Sequence, residues 1–455
     1  MSVAEVQETR GQFPVNREAA EWVAGLKPED IPEDAYIRAK HAILDWLGCT
    51  IAGMKEPLSQ ILCEELEAGS GPCTIAGGGG KARLLDAALI NGAASHALDY
   101  DDVNRDLHGH PTVCVAPASL GVTELLGASG KDALVAHIAG TEISCRIGLM
   151  AGEDHYERGF HATGTLGNFG AAAAAAKLMG LDAEKTAMAL GIAASQAAGV
   201  RANFGTMTKP FHAGKAAQNG ILAARLAARG FTAHDYAIEG DMGFADALCA
   251  DFQGAPIRLS KDAPWAVENV LYKYHAACYL THATLNAIRS LREEHGFNVD
   301  DVETAVLKIR STHASVCCIP EPRTGLEIKF SIEHLAAMAL DGVETGALET
   351  YSDENALNPR YVETRKRAVR LDYDDEIDRS EAVVTLTLKD GRTVSAEKSV
   401  RNPAKDHVEQ WKNLSAKFRA LCIPLIGTDN TEKAVALIET LDEQADVRGL
   451  MKAVE

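Results

Sequence analysis

The chain has 455 residues, 46% of them hydrophobic, more than one growing core accommodates, so two domains are expected. Its 64 acidic and 45 basic residues leave a formal charge of -19. That charge argues against nucleic-acid or anionic-membrane partners, because both need a positive face; a polyanionic small molecule would need a locally cationic pocket.

The first 265 residues read as mostly helix, with apolar residues recurring at spacings of three and four. Pro28 and Pro32 separate a helix near 17–26 from a longer one near 34–52. Further helices are predicted at 84–97, 113–126, 133–150, 166–179, 184–198 and 215–228, with a shorter one near Phe244. The run 171–176 is all alanine, which lets helices pack closely in an interior bundle. Beyond about Trp265 the pattern changes. Residues 302–312 alternate as a strand, and 382–388 and 393–399 flank Asp390-Gly391 as a hairpin. Helices near 281–294 and 331–340 accompany them. The tail returns to helix from about Val408, including 431–441. The expected fold is mostly α with a smaller α+β domain: a helical bundle domain at 1–265, an α+β lid at 266–402, and helices at 403–455 that return to the bundle.

Ten cysteines are scattered without a CxxC pair, which disfavours a disulfide scaffold, a zinc ribbon or a thiolate-held cluster. The opening MSVAEVQETRGQF lacks a basic and then apolar leader, and no uninterrupted apolar run reaches about 18 residues. A cytoplasmic location and no membrane partner are therefore expected.

Chemistry-bearing residues gather in four stretches. The first, NGAASHALDYDDVNRDLHGHP at 91–111, holds His96, Asp99, Asp101, Asp102, Asp106, His108 and His110. If its helix persists, Asp99 and Asp102 share a face, and crowding would push their pKa values apart and suit one as a base; the alternative is a solvated C-terminal turn. HGH also fits two metal ligands on a strand, but no HExxH or acidic cluster at ligand spacing accompanies it, so no metal is expected. The second, GFHATGT at 159–165, places His161 and Thr163 at a helix start, where free N–H groups favour an anion; a capping or core histidine is the plainer reading. In the third, MTKPFHAGK at 207–215, Lys209 is expected in extended backbone before Pro210, with His212 and Lys215 opening a helix. The fourth, KYHAACYLTH at 273–282, spaces His275 and His282 two helical turns apart, with Lys273 at its start and Cys278 between them as either a nucleophile or an inert buried thiol. Gly77 to Gly80 with Lys81 lacks the Ser or Thr of a phosphate loop and reads as a turn. The adjacent Cys317 and Cys318 are weak evidence for anything.

HALDYDD followed by HP, GFHATGTLG with KLMGL, TKPFHAGKAAQNG, KYHAACYLTH and GLEIKFS together resemble the MmgE/PrpD family, which contains 2-methylcitrate dehydratases, cis-aconitate decarboxylases and iminodisuccinate epimerases. The resemblance runs over essentially the whole chain. It implies the two-domain fold above, a homodimer, and a lyase that needs no cofactor and acts on a small di- or tricarboxylic acid. Matched motif by motif, it implies catalytic roles for Asp99, His110, His161, Lys209 and His282, the last in competition with His275 and Cys278. Asp102, Thr163, His212, Lys273, His275 and His334 are then expected around the substrate. Two departures stand out: a residue is inserted between LDYDD and HP, and His334 stands where the decarboxylase branch has a Tyr after FS. Dehydration is the first expectation, with decarboxylation, epimerisation or a catalytically silent polycarboxylate binder as alternatives.

Overall fold

The computed structural model describes residues 13–258 and 263–455; most of the opening segment read for a leader, residues 1–12, lies outside them. The chain divides into two compact units. One comprises the residues up to Ala97, Asp101–Tyr272 and Ala404–Glu455; the other comprises Leu98–Tyr100 and Lys273–Pro403. The fold is mostly α, with a smaller α+β part.

The first unit is built around Ala162–Leu178, whose residues from Ala162 to Ala176 are all buried. A helix apolar on every side has to be surrounded, and Thr112–Leu126, Gly130–Glu157 and Thr208–Ala228 pack against it. Gly130–Glu157 is long and apolar enough to cross a membrane by length and composition, yet 94% of its apolar window is buried inside the fold. Small residues set the helix crossings. A Cβ on Gly140 would stand 2.5 Å from the Gly170 carbonyl oxygen, and one on Gly214 would stand 2.2 Å from that of Leu89. The Gly214 crossing seats Thr208–Ala228, which carries Lys209 and His212, against Leu84–Ala97, which carries His96. From the C-terminal part, His407–Ile426 packs on Glu33–Gly53, where Lys417 Nζ pairs with Asp45 at 2.7 Å with both side chains buried.

The second unit holds a four-stranded sheet in the order Val369–Tyr373, Val302–Ile309, Glu381–Leu388, Thr393–Ser399. The first pair is parallel and the others antiparallel. Val302–Ile309 buries alternate residues, as its sequence alternation predicts. The hairpin closes with Gly391 at φ 89°, which suits glycine. The edge strand Val369–Tyr373 was not anticipated; it is short, and Arg370 and Asp372 break its apolar pattern.

Three local expectations need correction. The Leu84–Ala97 helix does not continue, because Asp99 takes a left-handed conformation at φ 51°, which Asp tolerates better than most residues. Lys209 is helical rather than extended: the helix starts at Thr208, and Pro210 falls in its first turn, where a missing N–H costs nothing. His275 precedes the helix His282–His295 altogether, so the two histidines meet across a fold of the chain. Residues 76–79 form the turn of a small hairpin, Cys73–Ile75 with Gly80–Ala82.

Replacing Gly214 by Ala forces a Cβ into the Leu89 backbone, and overpacking of this kind costs about 1–3 kcal/mol. The denaturation midpoint of Gly214→Ala is expected to fall accordingly; an unchanged midpoint would show that the crossing has slack.

Candidate active site

In the first unit the site is organised by Asp101. Its buried carboxylate accepts from His96 Nδ1 at 3.0 Å on both oxygens, and His110 Nδ1 lies 2.7 Å from Oδ2. The His110 ring meets that of His96 edge-on at 4.4 Å, and His96 stacks near-parallel with His161 at 5.7 Å. His161 precedes the first residue of the Ala162–Leu178 helix, and its Nδ1 lies 3.1 Å from His212 Nδ1, so one nitrogen carries the hydrogen and the other accepts it. Phe204 packs edge-on against His161, and Lys209 Nζ sits 5.4 Å above the Phe204 ring. Thr163 anchors the loop: its Oγ1 accepts from the His110 backbone N–H at 3.1 Å.

Burial and charge assign protonation states. Burial alone would raise Asp101, but the His96 and His110 imidazoles hold it well below the ordinary carboxylate range. Its neighbour Asp102 is pushed well above that range by burial and by Asp45 and Asp101, and it accepts a hydrogen bond from Thr112 Oγ1. The pKa values of two adjacent carboxyls are thus pushed apart, Asp101 down and Asp102 up, and the pair is Asp101 and Asp102 rather than Asp99 and Asp102. Burial drives His96 down to about 3 against the pull of Asp101. His161 falls well below its usual value through burial, then His96 and Lys209. Both rings are neutral near pH 7. With His96 Nδ1–H directed at Asp101, Nε2 is a buried acceptor with no hydrogen-bond partner among the described residues, as expected of an atom that awaits a ligand. His96, Asp101 and His110 are also of metal-ligating type. Here, however, both Nδ1 atoms face carboxylate oxygens at hydrogen-bond distance, so the set reads as an imidazole–carboxylate relay.

The second unit gathers a further polar group. Lys273, wholly buried, donates to the Asp99 carbonyl at 2.8 Å and pairs with Asp99 Oδ1 at 3.2 Å. Lys329 Nζ donates to the Leu98 carbonyl, so two ammonium groups hold the three-residue segment. His282 opens its helix 4.9 Å from the His275 ring and is driven well below its usual value by burial, His275 and Lys273. Both nitrogens of His275 are engaged, with Thr345 Oγ1 at 2.7 Å and Asn286 Oδ1 at 3.0 Å, which suits a role in holding His282. His334 is used within the core: its Nε2 contacts the Asn355 carbonyl at 3.1 Å, and its Nδ1 faces Arg365 Nη1 at 3.4 Å. None of these partners belongs to the Asp99–Lys273–His282 group.

Within the first unit the structure brings together His110, His161, Thr163, Lys209, His212 and Asp102, and within the second it brings together Asp99, Lys273, His275 and His282. Sequence reading passed over Asp101, His96 and Lys329 as site residues. Asp101 and His96 were visible in the first stretch, but helical spacing pointed to Asp99 and Asp102.

A helical scaffold that gathers imidazoles, an ionised carboxylate and a lysine is equipped for acid–base chemistry. The MmgE/PrpD N-terminal domain matches residues 17–256 and the MmgE/PrpD C-terminal domain matches residues 275–443; the chain belongs to the MmgE/PrpD family. Its relatives include the cis-aconitate decarboxylase of Aspergillus terreus, 27% identical over 478 residues, covering 98% of this chain and 96% of that protein. The cis-aconitate decarboxylase of Homo sapiens is 29% identical over 449 residues, covering 93% and 91%, and that of Mus musculus is 28% identical over 467 residues, covering 97% and 93%.

Ten histidines, among them His41, His96, His161, His275 and His282, have pKa values lowered first by burial. The unfolded chain binds protons at these positions below about pH 6.5 while the folded chain does not, so stability falls on acidification. Asp102, Glu18, Glu333 and Glu239, the last raised to about 7, act in the opposite sense but are outnumbered. Urea midpoints are expected to drop steadily from pH 7 to pH 5; a flat or rising profile would contradict this assignment.

Proposed function

We propose that this lyase acts without a cofactor on a small tricarboxylic acid of the cis-aconitate type, and that decarboxylation is its first reaction. The observation that carries the reading is the Asp101-held pair His96 and His110 beside His161, His212 and Lys209. Loss of carbon dioxide leaves the bonding electron pair on the remaining carbon skeleton, delocalised toward a carboxylate. A cation and hydrogen-bond donors where that charge develops, together with a proton donor for the carbanion, meet the need. Lys209, with His161 and His212, supplies the cationic and donor side. His110 supplies the proton, and Asp101 orients its ring and stabilises the imidazolium form, as a carboxylate does behind any catalytic histidine.

Dehydration of a 2-methylcitrate-like acid is the second reading, favoured by one observation. Neutral His96 offers a buried, unpartnered Nε2 suited to remove a proton beside a carboxylate, while His110 protonates the departing hydroxyl. Epimerisation of an iminodisuccinate-like acid would use the same carbanion. Asp99 and Lys273, held together in the second unit, are proposed as a further catalytic pair tested on its own by Asp99→Asn. The family resemblance also carries a homodimer in the cytoplasm, and sedimentation at the monomer mass of 48.5 kDa alone would remove the dimer.

The chelator-treated protein is to be incubated with cis-aconitate, 2-methylcitrate and iminodisuccinate in turn. Carbon dioxide release, ultraviolet absorbance and product chirality then separate the reactions. Carbon dioxide from cis-aconitate is the expected result; binding without turnover of any of the three would identify a silent polycarboxylate binder and end the lyase reading.

Asp101→Asn keeps the shape but removes the charge behind His96 and His110, and it should lower kcat on the order of 10²–10⁴-fold, the span of a general acid–base contribution. Lys209→Ala should reduce kcat/KM on the order of 10²-fold or more with the fold retained. Turnover within a factor of about two of the natural protein would take either residue out of the mechanism.

A further inference from the structure

Asp101 and His110 stand nine residues apart in the sequence, yet their side chains meet at 2.7 Å, and the loop between them is closed at its neck by Asn104. The Asn104 N–H donates to the Gly109 carbonyl at 2.8 Å, and the Gly109 N–H returns to the Asn104 carbonyl at 3.3 Å. The arm that follows Asp101 and the arm that precedes His110 are thus tied side by side. The Asn104 side chain is buried and uses both ends of its amide. Oδ1 accepts from the Asp106 N–H, two residues on, at 2.8 Å, a turn that Asn favours; Nδ2 donates to the Ala266 carbonyl at 2.8 Å. His108, at φ 54°, then turns the chain back toward His110.

Ala266 is a fixed point. Its N–H donates to Glu142 Oε2 at 2.7 Å, and the wholly buried Glu142 carboxylate is held through Oε1 by Arg146 Nε and Arg258 Nη1, both at 2.9 Å. Pairing of Val103–Asn104 with Val270–Leu271 runs alongside. Close backbone approach braces the loop on two further sides: a Cβ on Gly148 would stand 2.5 Å from the Asp106 carbonyl oxygen, and one on Gly109 would stand 2.7 Å from Thr163 Oγ1. An amide offers a donor and an acceptor in one planar head. Asp and Leu have the same shape, but an ionised Asp only accepts and Leu does neither, so this join between loop and anchor requires Asn.

We propose that Asn104 is a positioning residue: acting through Gly109, it sets where the His110 ring stands against Asp101. Its amide is spent on Asp106 and Ala266, so it has no part in the proton transfer itself. The consequence for catalysis rests on the proposed role of His110 as proton donor; the placement of the ring does not. Without the amide, the neck is held by the Gly109 pair alone and loses its tie to the Glu142 anchor. A displacement of about 1 Å at a reacting group costs on the order of 10²-fold in rate. Lys209, His161 and His212, which face the substrate under the same reading, are untouched, so the loss falls on kcat rather than on KM.

The test compares the full-length natural protein with Asn104→Ala, alone and combined with His110→Gln, well below the denaturation midpoint of each. With carbon-13 at histidine Cε1, the His110 ring signal, assigned by its loss in His110→Gln, is expected to move in Asn104→Ala while that of His334 in the second unit stays. On cis-aconitate, kcat of Asn104→Ala should fall about 10–100-fold with KM within about twofold. In the His110→Gln background the same replacement should change kcat by less than about twofold, because the ring it positions is gone. Should Asn104→Ala fail to fold, Asn104→Ser, which keeps an acceptor for the Asp106 N–H but stops short of the Ala266 carbonyl, carries the same measurements. An unmoved His110 signal, an equal kcat loss in both backgrounds, or a rise in KM with kcat unchanged would overturn the proposal. A protein that turns over none of the three acids removes the lyase reading instead, and the His110 signal still decides the placement.

Discussion

An ionised carboxylate buried between two imidazoles is the constraint on which the first unit depends. Taking the Asp101 charge out of water costs several kcal/mol, and the cost is met only where donors stand at fixed positions around it. His96 and His110 are those donors, at 3.0 and 2.7 Å. The same bonds fix the orientation of each ring. Asp102, next in the chain, is held well above the ordinary carboxylate range by burial and by Asp45 and Asp101, and accepts from Thr112 Oγ1. Behind it, Asp45 has its own counter-charge in Lys417.

Such placement demands rigid support, and the small residues provide it. His96 ends one helix, His161 precedes another and His212 lies in the first turns of a third. The His161 ring comes within 6 Å of each of the other two because the helices that carry them approach at backbone contact through glycine and alanine. Bulky side chains would hold the helices 8–10 Å apart on their own terms. The alanine-rich interior is thus part of the chemistry as well as of the packing.

The chain as a whole is strongly acidic, yet the site in the first unit is lined by imidazoles and a lysine with one compensated carboxylate. The second unit repeats the theme on a smaller scale, with Lys273 and Lys329 both buried on the segment that carries Asp99.

Much of this was legible in the sequence, because it rests on local pattern. The helical stretch, the change near Trp265, the Asp390-Gly391 hairpin and the motif strings that carry the family depend on periodicity, turn chemistry and short-range spacing. The roles of individual acids did not. Helical spacing paired Asp99 with Asp102, whereas one left-handed residue at Asp99 ends the helix and hands the central position to Asp101. His334 looked like a pocket residue until the fold occupied both its nitrogens, and Lys209 looked extended until Pro210 proved to lie in a first helical turn. Protonation states and partners arise from burial and from residues far apart in the chain, so composition and local order determined which kind of protein this is, while the tertiary structure alone decided which carboxylate carries the charge.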